Sequence, residues 1–78
     1  MKSAKDMFKR LRYKEKSWLG NIIFTKETKK CTYEIYFSLD YNSIRAREIC
    51  GVELKAMNIS MPVLKAIIKQ CEELGWLK

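Results

Sequence analysis

The chain has no histidine, one proline, three glycines and three cysteines, and none of its apolar runs reaches membrane-spanning length. Without histidine the commonest general base is missing, and so is the usual partner of a serine or cysteine nucleophile. There is no phosphate-binding glycine loop, no nucleotide-binding glycine pattern and no paired-cysteine motif, and these absences together argue against an enzyme. Cys31, Cys50 and Cys71 are odd in number and widely spaced, which argues against a disulfide framework. A structural zinc site takes four Cys or His ligands, often in close pairs, and this chain cannot supply them alone. The cysteines are therefore expected to be small buried hydrophobes, with no metal and no cofactor. A membrane span needs about 20 consecutive apolar residues, and the opening stretch Met1 to Asp6 lacks the apolar segment of a signal peptide. A cytoplasmic protein with no membrane partner is the expectation.

What is present is enough for one small folded domain, 1–78. The 78 residues are 47% hydrophobic and include 2 Trp, 4 Tyr and 3 Phe, too apolar for a disordered tail. At this size a single core leaves only about 3–5 kcal/mol of stability.

Periodicity gives the elements. Ala4, Met7, Phe8 and Leu11 recur at helical spacing, with Ser3 placed to cap and Asp6 three residues later. A short helix over roughly Ala4 to Leu11 follows. Tyr13 to Ser17 reads as a charged connector, and Trp18 to Thr25 as a strand rich in β-branched and aromatic residues. Lys26 to Lys30 is a polar loop without glycine. In Cys31 to Leu39 the residues Cys31, Tyr33, Ile35, Phe37 and Leu39 alternate with polar ones, so the first set faces a core. Asp40 to Ser43 is a turn. Ser43 to Cys50 alternates again, with Ile44, Ala46 and Cys50 inward, Arg45 and Arg47 outward, and Glu48 breaking the inner set. Gly51 marks a bulge or tight turn before a short strand over Val52 to Met57. The second helix starts near Ser60, with Pro62 tolerated in its first turn; either Ser60 or Met61 is the cap. Its apolar face is expected to be Leu64, Ile67, Ile68, Cys71 and Leu74. Gly75 can end it in a left-handed cap that folds Trp76 back near Cys71. The order predicts an α+β domain: helix, antiparallel meander of three to four strands, helix, with both helices on one face of the sheet.

Two stretches carry a resemblance. Met7-Phe8-Lys9-Arg10-Leu11-Arg12-Tyr13 and Leu64-Lys65-Ala66-Ile67-Ile68-Lys69-Gln70-Cys71-Glu72-Glu73-Leu74-Gly75-Trp76 resemble signatures of a family of small accessory proteins from Gram-positive bacteria and their prophages. The resemblance covers both ends of the chain and, in the middle, only the strand pattern. Members of that family often carry glycine where Arg12 stands here. If that backbone is left-handed, arginine costs about 1 kcal/mol more than glycine. The resemblance implies a mobile-element origin rather than a biochemical role, and Phe8, Leu11, Ile67, Leu74 and Trp76 are accounted for by packing.

Charge is the remaining signal. Sixteen Lys and Arg against nine Asp and Glu give +7, and the first sixteen residues hold seven of the cations against Asp6 and Glu15. Lys9, Arg10 and Arg12 belong to that segment, Lys29 and Lys30 to the loop between strands, and Arg45 and Arg47 to the outward face of a strand. Tyr36, with Trp18 or Phe24, could stand beside them, and aromatic and arginine side chains on a sheet can stack bases. The expectation is a non-enzymatic protein that contacts a nucleic acid or nucleoprotein through Lys9, Arg10, Arg12, Lys29, Lys30, Tyr36, Arg45 and Arg47, without a small-molecule substrate. Three alternatives stay open. One is an inhibitor of a host defence enzyme such as a nuclease, an anti-CRISPR or similar anti-defence role. Another is a self-assembling module, monomer or homodimer, pairing through an edge strand. The blandest is a solvated basic surface that keeps a small protein soluble.

Overall fold

In the computed structural model, which describes residues 3–77, the chain runs α1 (Ala4–Arg10), β1 (Lys14–Trp18), β2 (Asn21–Glu27), β3 (Cys31–Ser38), β4 (Ser43–Cys50), β5 (Glu53–Ala56) and α2 (Met61–Glu73). The five strands form one antiparallel sheet in sequence order, β1 to β5. The protein is thus a small α+β domain, as expected, with five strands in place of the three to four anticipated. It divides into a helical unit, made of the chain up to Tyr13 and from Ile59 onward, and a sheet unit, Lys14–Asn58. Among the described residues no helix is long and apolar enough to cross a membrane.

In the helical unit both helices begin and end on identifiable chemistry. The Ser3 hydroxyl accepts from the Asp6 N–H at 3.2 Å, and a carboxylate oxygen of Glu73 accepts from the Ala4 N–H at 2.7 Å. Two of the orphan donors of the α1 first turn are thereby satisfied, by oxygens that the helix dipole also favours there. At its other end α1 closes in a Schellman motif: the Tyr13 N–H donates to the Phe8 carbonyl and the Arg12 N–H to that of Lys9. Arg12 has φ 71°, so its backbone does adopt the left-handed region in which glycine would be the easier residue. The rings of Phe8 and Tyr13 meet edge-to-face at 5.7 Å, which supplies the apolar contact that accompanies this motif.

Helix α2 ends the same way. Trp76 donates to the Cys71 carbonyl and Gly75 to that of Glu72, with Gly75 at φ 77°. Trp76 is half-buried, so the tail turns back on the helix as its sequence indicates. At the start of α2, Ser60 is the N-cap residue, without a side-chain hydrogen bond, and Pro62 lies in the first turn. The buried stripe of α2 is Val63, Ala66, Ile67, Gln70 and Cys71, whereas Leu64 and Ile68 are exposed. The expected face is therefore rotated. The small side chain of Ala66, like that of Ala4 on α1, is fully buried, and selecting the largest aliphatics in the sequence passes over such positions.

The sheet unit differs from expectation at its start. Lys14–Trp18 is a strand rather than a connector, and the run after it is cut at Leu19-Gly20, where both residues have positive φ (48° and 77°). That is the geometry of a two-residue type I′ hairpin turn, whose twist matches paired strands. Trp18 faces Asn21 across it. Strand β2 then runs on to Glu27, which leaves Thr28, Lys29 and Lys30 as the loop. The Thr28 N–H and hydroxyl both donate to the Cys31 carbonyl, at 2.8 and 3.0 Å. The β4–β5 connection is the two-residue turn Gly51-Val52, with Gly51 at φ 66°.

Alternation within β3 follows the expectation at its centre. Ile35 and Phe37 are fully buried, Cys31 and Tyr33 are half-buried, and Leu39 lies exposed beyond the strand. Phe24 faces Ile35 in the ladder and meets Phe37 edge-to-face at 5.9 Å. It therefore belongs to the buried side and is unavailable as an open-face aromatic. One further correction concerns the cysteines. Cys31 and Cys50 are directly opposed in the β3–β4 ladder and form a disulfide, while Cys71 alone is a buried free thiol, with burial pushing its pKa up.

Candidate nucleic-acid interface

Antiparallel pairing turns the sequence into rows that cross the sheet, because opposed residues share a face. On the side away from Phe24, Ile35 and Phe37, one row reads Lys16, Ile23, Tyr36, Arg45 across β1 to β4. The row on one side of it reads Trp18, Asn21, Ser38, Ser43, and the row on the other Lys14, Thr25, Glu34, Arg47, Ala56. Two residues of strand separate successive rows, about 7 Å. Aromatic, basic and small polar groups thus alternate over a surface as wide as four strands.

Tyr36 is its centre. It forms a wall of two adjoining grooves. One, of about 290 Å³, is lined by Asn21, Tyr36, Ser38, Tyr41, Ser43 and Arg45. The other, of about 540 Å³, is lined chiefly by Lys16, Trp18, Ile23, Thr25, Glu34 and Tyr36. Trp18 is 64% exposed and Tyr41, in the β3–β4 turn, is 84% exposed. Two large rings therefore stand in solvent at the hairpin end of the sheet, and each helps line a groove shared with the half-buried Tyr36.

The Tyr36 ring is fixed by its neighbours. The Arg47 Nε donates to a Glu34 carboxylate oxygen at 2.6 Å, and an Arg47 terminal nitrogen donates to the Tyr36 hydroxyl at 3.0 Å. The same guanidinium lies 5.1 Å from the Tyr36 ring centroid, within cation–π range. The hydrogen bond that Arg47 donates to Glu34, together with the charge of that carboxylate, drives the Arg47 pKa still higher than the ordinary arginine value. Arg47 is therefore a positioning group, already engaged. Arg45 is directly opposite Tyr36 on β4 and exposed. Among the described residues it makes no side-chain hydrogen bond or ion pair, so its five donors are available to a ligand.

The residues anticipated from sequence divide accordingly. Tyr36, Arg45 and Arg47 are brought together on one face. Lys29 and Lys30 sit in the β2–β3 loop, at the end of the sheet opposite the Trp18–Asn21 hairpin. Lys9, Arg10 and Arg12 belong to the helical unit. The first two are exposed cations in the last turn of α1, where the helix dipole favours them, and Arg12 is the left-handed residue of the cap. Lys16, Asn21, Ile23 and Tyr41 were missed. The signal for Lys16 was available, since Lys14, Lys16 and Trp18 alternate with Glu15 and Ser17, but a strand with one apolar residue does not declare itself.

Searches against protein-family models, curated proteins and solved structures find no match to this chain.

Proposed function

We propose that this protein is a non-enzymatic binding module that holds a nucleic acid on the open face of its sheet. The observation that carries this reading is the row in which Lys16, Tyr36 and Arg45 stand over the buried Ile23, with the exposed rings of Trp18 and Tyr41 nearby. Rings spaced along a sheet offer faces to successive unstacked bases, and cations between them neutralise the phosphates. Duplex bases have no free faces to offer, so a single strand fits this surface better than a duplex. The overall charge of +7 adds long-range attraction. The accessory, mobile-element origin implied by the resemblance of the chain ends is compatible with this activity, in a protein that acts on RNA or DNA alone or as part of a nucleoprotein.

Fluorescence anisotropy with labelled single- and double-stranded RNA and DNA, titrated across salt, tests the proposal. Support would be single-strand binding near physiological salt, with a log–log slope of several released counterions. Affinity that is lost well below physiological salt, or that is unchanged by Tyr36→Ala and Arg45→Ala, would remove this face.

The exposure of Trp18, Leu19 and Tyr41 on neighbouring hairpin ends favours a second reading. Aromatic anchors of this kind are frequent hot spots of protein interfaces, so an inhibitor seated on a host protein such as a defence nuclease would use the same residues. A partner retained after nuclease treatment of a pull-down, and lost with Trp18→Ala, would favour that reading over the first.

A further inference from the structure

One feature of the buried side of the sheet is left unexplained by folding or by nucleic-acid binding. Glu48 interrupts the inward-facing set of β4, and its carboxylate oxygen lies 3.3 Å from the Cys50 sulfur. Cys50 is bonded in turn to Cys31, directly across the ladder. A carboxylate and a disulfide sulfur are both acceptors, so neither can donate to the other. The disulfide therefore offers Glu48 no hydrogen bond, although their atoms are in contact. The Cys31 sulfur, the Cys50 sulfur and a Glu48 oxygen all lie within 4.8 Å of one another, and all three residues are half-buried; reduction of the disulfide would free both sulfurs as ligands beside that oxygen.

We infer that Cys31, Cys50 and Glu48 form a site for a thiophilic divalent cation of the zinc class in the reduced protein, with the disulfide as its metal-free, oxidised state. Two thiolates and one carboxylate are ligands that zinc prefers, and three protein ligands leave the fourth tetrahedral position to water. The ladder fixes the cysteine backbones 4.2 Å apart between Cα atoms. Only the side chains must turn to move the sulfurs from bonding distance to the roughly 3.8 Å that separates two thiolates on one zinc, given Zn–S distances of about 2.3 Å. The Cys31 backbone is held independently, since its N–H donates to the Thr28 hydroxyl at 3.1 Å and its carbonyl accepts from Thr28.

The chemistry balances in two steps. A dithiol reductant gives two electrons and two protons to the Cys31–Cys50 bond and becomes a disulfide itself. The cation then displaces the two thiol protons, which are released to solvent. Oxidation of the bound thiolates by a disulfide oxidant reverses both steps and expels the cation. The site would thus couple cation occupancy to redox state.

The test uses the full chain, reduced with a phosphine that is then removed without air, and titrated with zinc alone in competition with a chromophoric chelator. Native mass spectrometry supplies the stoichiometry. The expected result is one zinc per reduced chain and none per oxidised chain. Glu48→Gln, which keeps the side-chain shape and both cysteines, should weaken affinity by at least about 10-fold, whereas Cys71→Ala should leave it unchanged. Zinc uptake that is absent from the reduced protein would overturn the proposal. So would uptake that is equal in the oxidised protein, unaffected by Glu48→Gln, or dependent on Cys71. Far-UV circular dichroism of each variant separates loss of ligand from loss of fold.

Discussion

The helical unit and the sheet unit use their polar side chains for different ends. In the helical unit the fixed side-chain oxygens serve backbone donors: Ser3 accepts from Asp6 and Glu73 from Ala4. The sheet unit has bonds of that kind at its turns, where Asn21 donates to the Leu19 carbonyl and Thr28 closes on Cys31. On its open face, however, Glu34, Tyr36 and Arg47 bond to one another, over strands whose backbone groups already pair in the ladder. No backbone group needs that network. Polar groups that complete a helix end are explained by the fold. The polar network that holds an aromatic ring between two grooves is what the proposed binding face rests on.

Substitutions should separate the two units in the same way. The largest effect belongs to Phe8, which is fully buried and meets Tyr13 edge-to-face. Phe8→Ala should cost about 3–5 kcal/mol, comparable to the whole stability of a domain this size, and chemical denaturation would read it as a largely unfolded protein. Tyr36→Ala is the counterpart on the sheet. It should weaken single-strand binding by about 1–3 kcal/mol, the usual worth of one stacked base, while the melting temperature moves less than for Phe8→Ala. If Tyr36→Ala unfolded the protein to the same degree, the open face would be structural and the contrast between the units would fail.

How much of this is legible in the sequence depends on how each feature is encoded. Strand β3 carries clear alternation and β4 carries it up to Glu48, and the expected bounds of both lie close to those observed. The Gly75-Trp76 ending was read because glycine fixes the cap locally. Strand β1 was lost because Lys14–Trp18 has one apolar residue and is exposed throughout, and because Leu19-Gly20 is an unusual pair for a type I′ turn. The buried stripe of α2 was misread because burial there follows close approach, which favours Ala66, rather than side-chain size. The disulfide follows from pairing and not from either strand alone. Once Ser38 is set opposite Ser43, counting back along both strands places Cys31 opposite Cys50. Register is a property of two strands together, and reasoning one segment at a time does not reach it. The same holds for the row from Lys16 to Arg45, which exists only after four strands are aligned.

A finer contrast lies between the two helix ends, which share one motif but fill its left-handed position with different residues. Arg12 carries a Cβ at φ 71° and Gly75 does not at φ 77°. A left-handed residue other than glycine costs about 1–2 kcal/mol, part of which glycine gives back as unfolded-chain entropy. Arg12→Gly should therefore stabilise by about 1 kcal/mol and raise Tm by roughly 4–8 °C. Gly75→Ala should destabilise by a similar amount. A Cβ at Gly75 would meet no atom within 4 Å, so the loss there is conformational and not steric. If Arg12→Gly leaves Tm unchanged, the arginine side chain makes a compensating contact, and thermal unfolding of Arg12→Ala would detect its loss.

The smallest stability change and the sharpest functional one should come together at Glu34. Its ion pair with Arg47 is partly solvated, with a third of the arginine side chain exposed (33%), and pairs of that kind contribute about 0–1 kcal/mol. Glu34→Gln keeps the shape and an acceptor for Arg47, so Tm should move by no more than a few degrees. The substitution also removes one of the two carboxylates on the open face, the other being Glu27 at the end of β2, and frees the charge of Arg47 to act on a phosphate. Nucleic-acid affinity should therefore rise, and the salt dependence should steepen by about one counterion. Glu34 would then act as a brake on binding that also holds Tyr36 in place. Unchanged affinity with an unchanged salt slope would mean that phosphates do not approach Arg47, and would shift the binding path toward Lys16, Trp18 and Arg45. A fall in affinity would mean that Glu34 matters more for holding Arg47 and Tyr36 than for repelling the strand, in which case Arg47→Lys, which keeps the charge but loses the planar fork, should weaken binding as well.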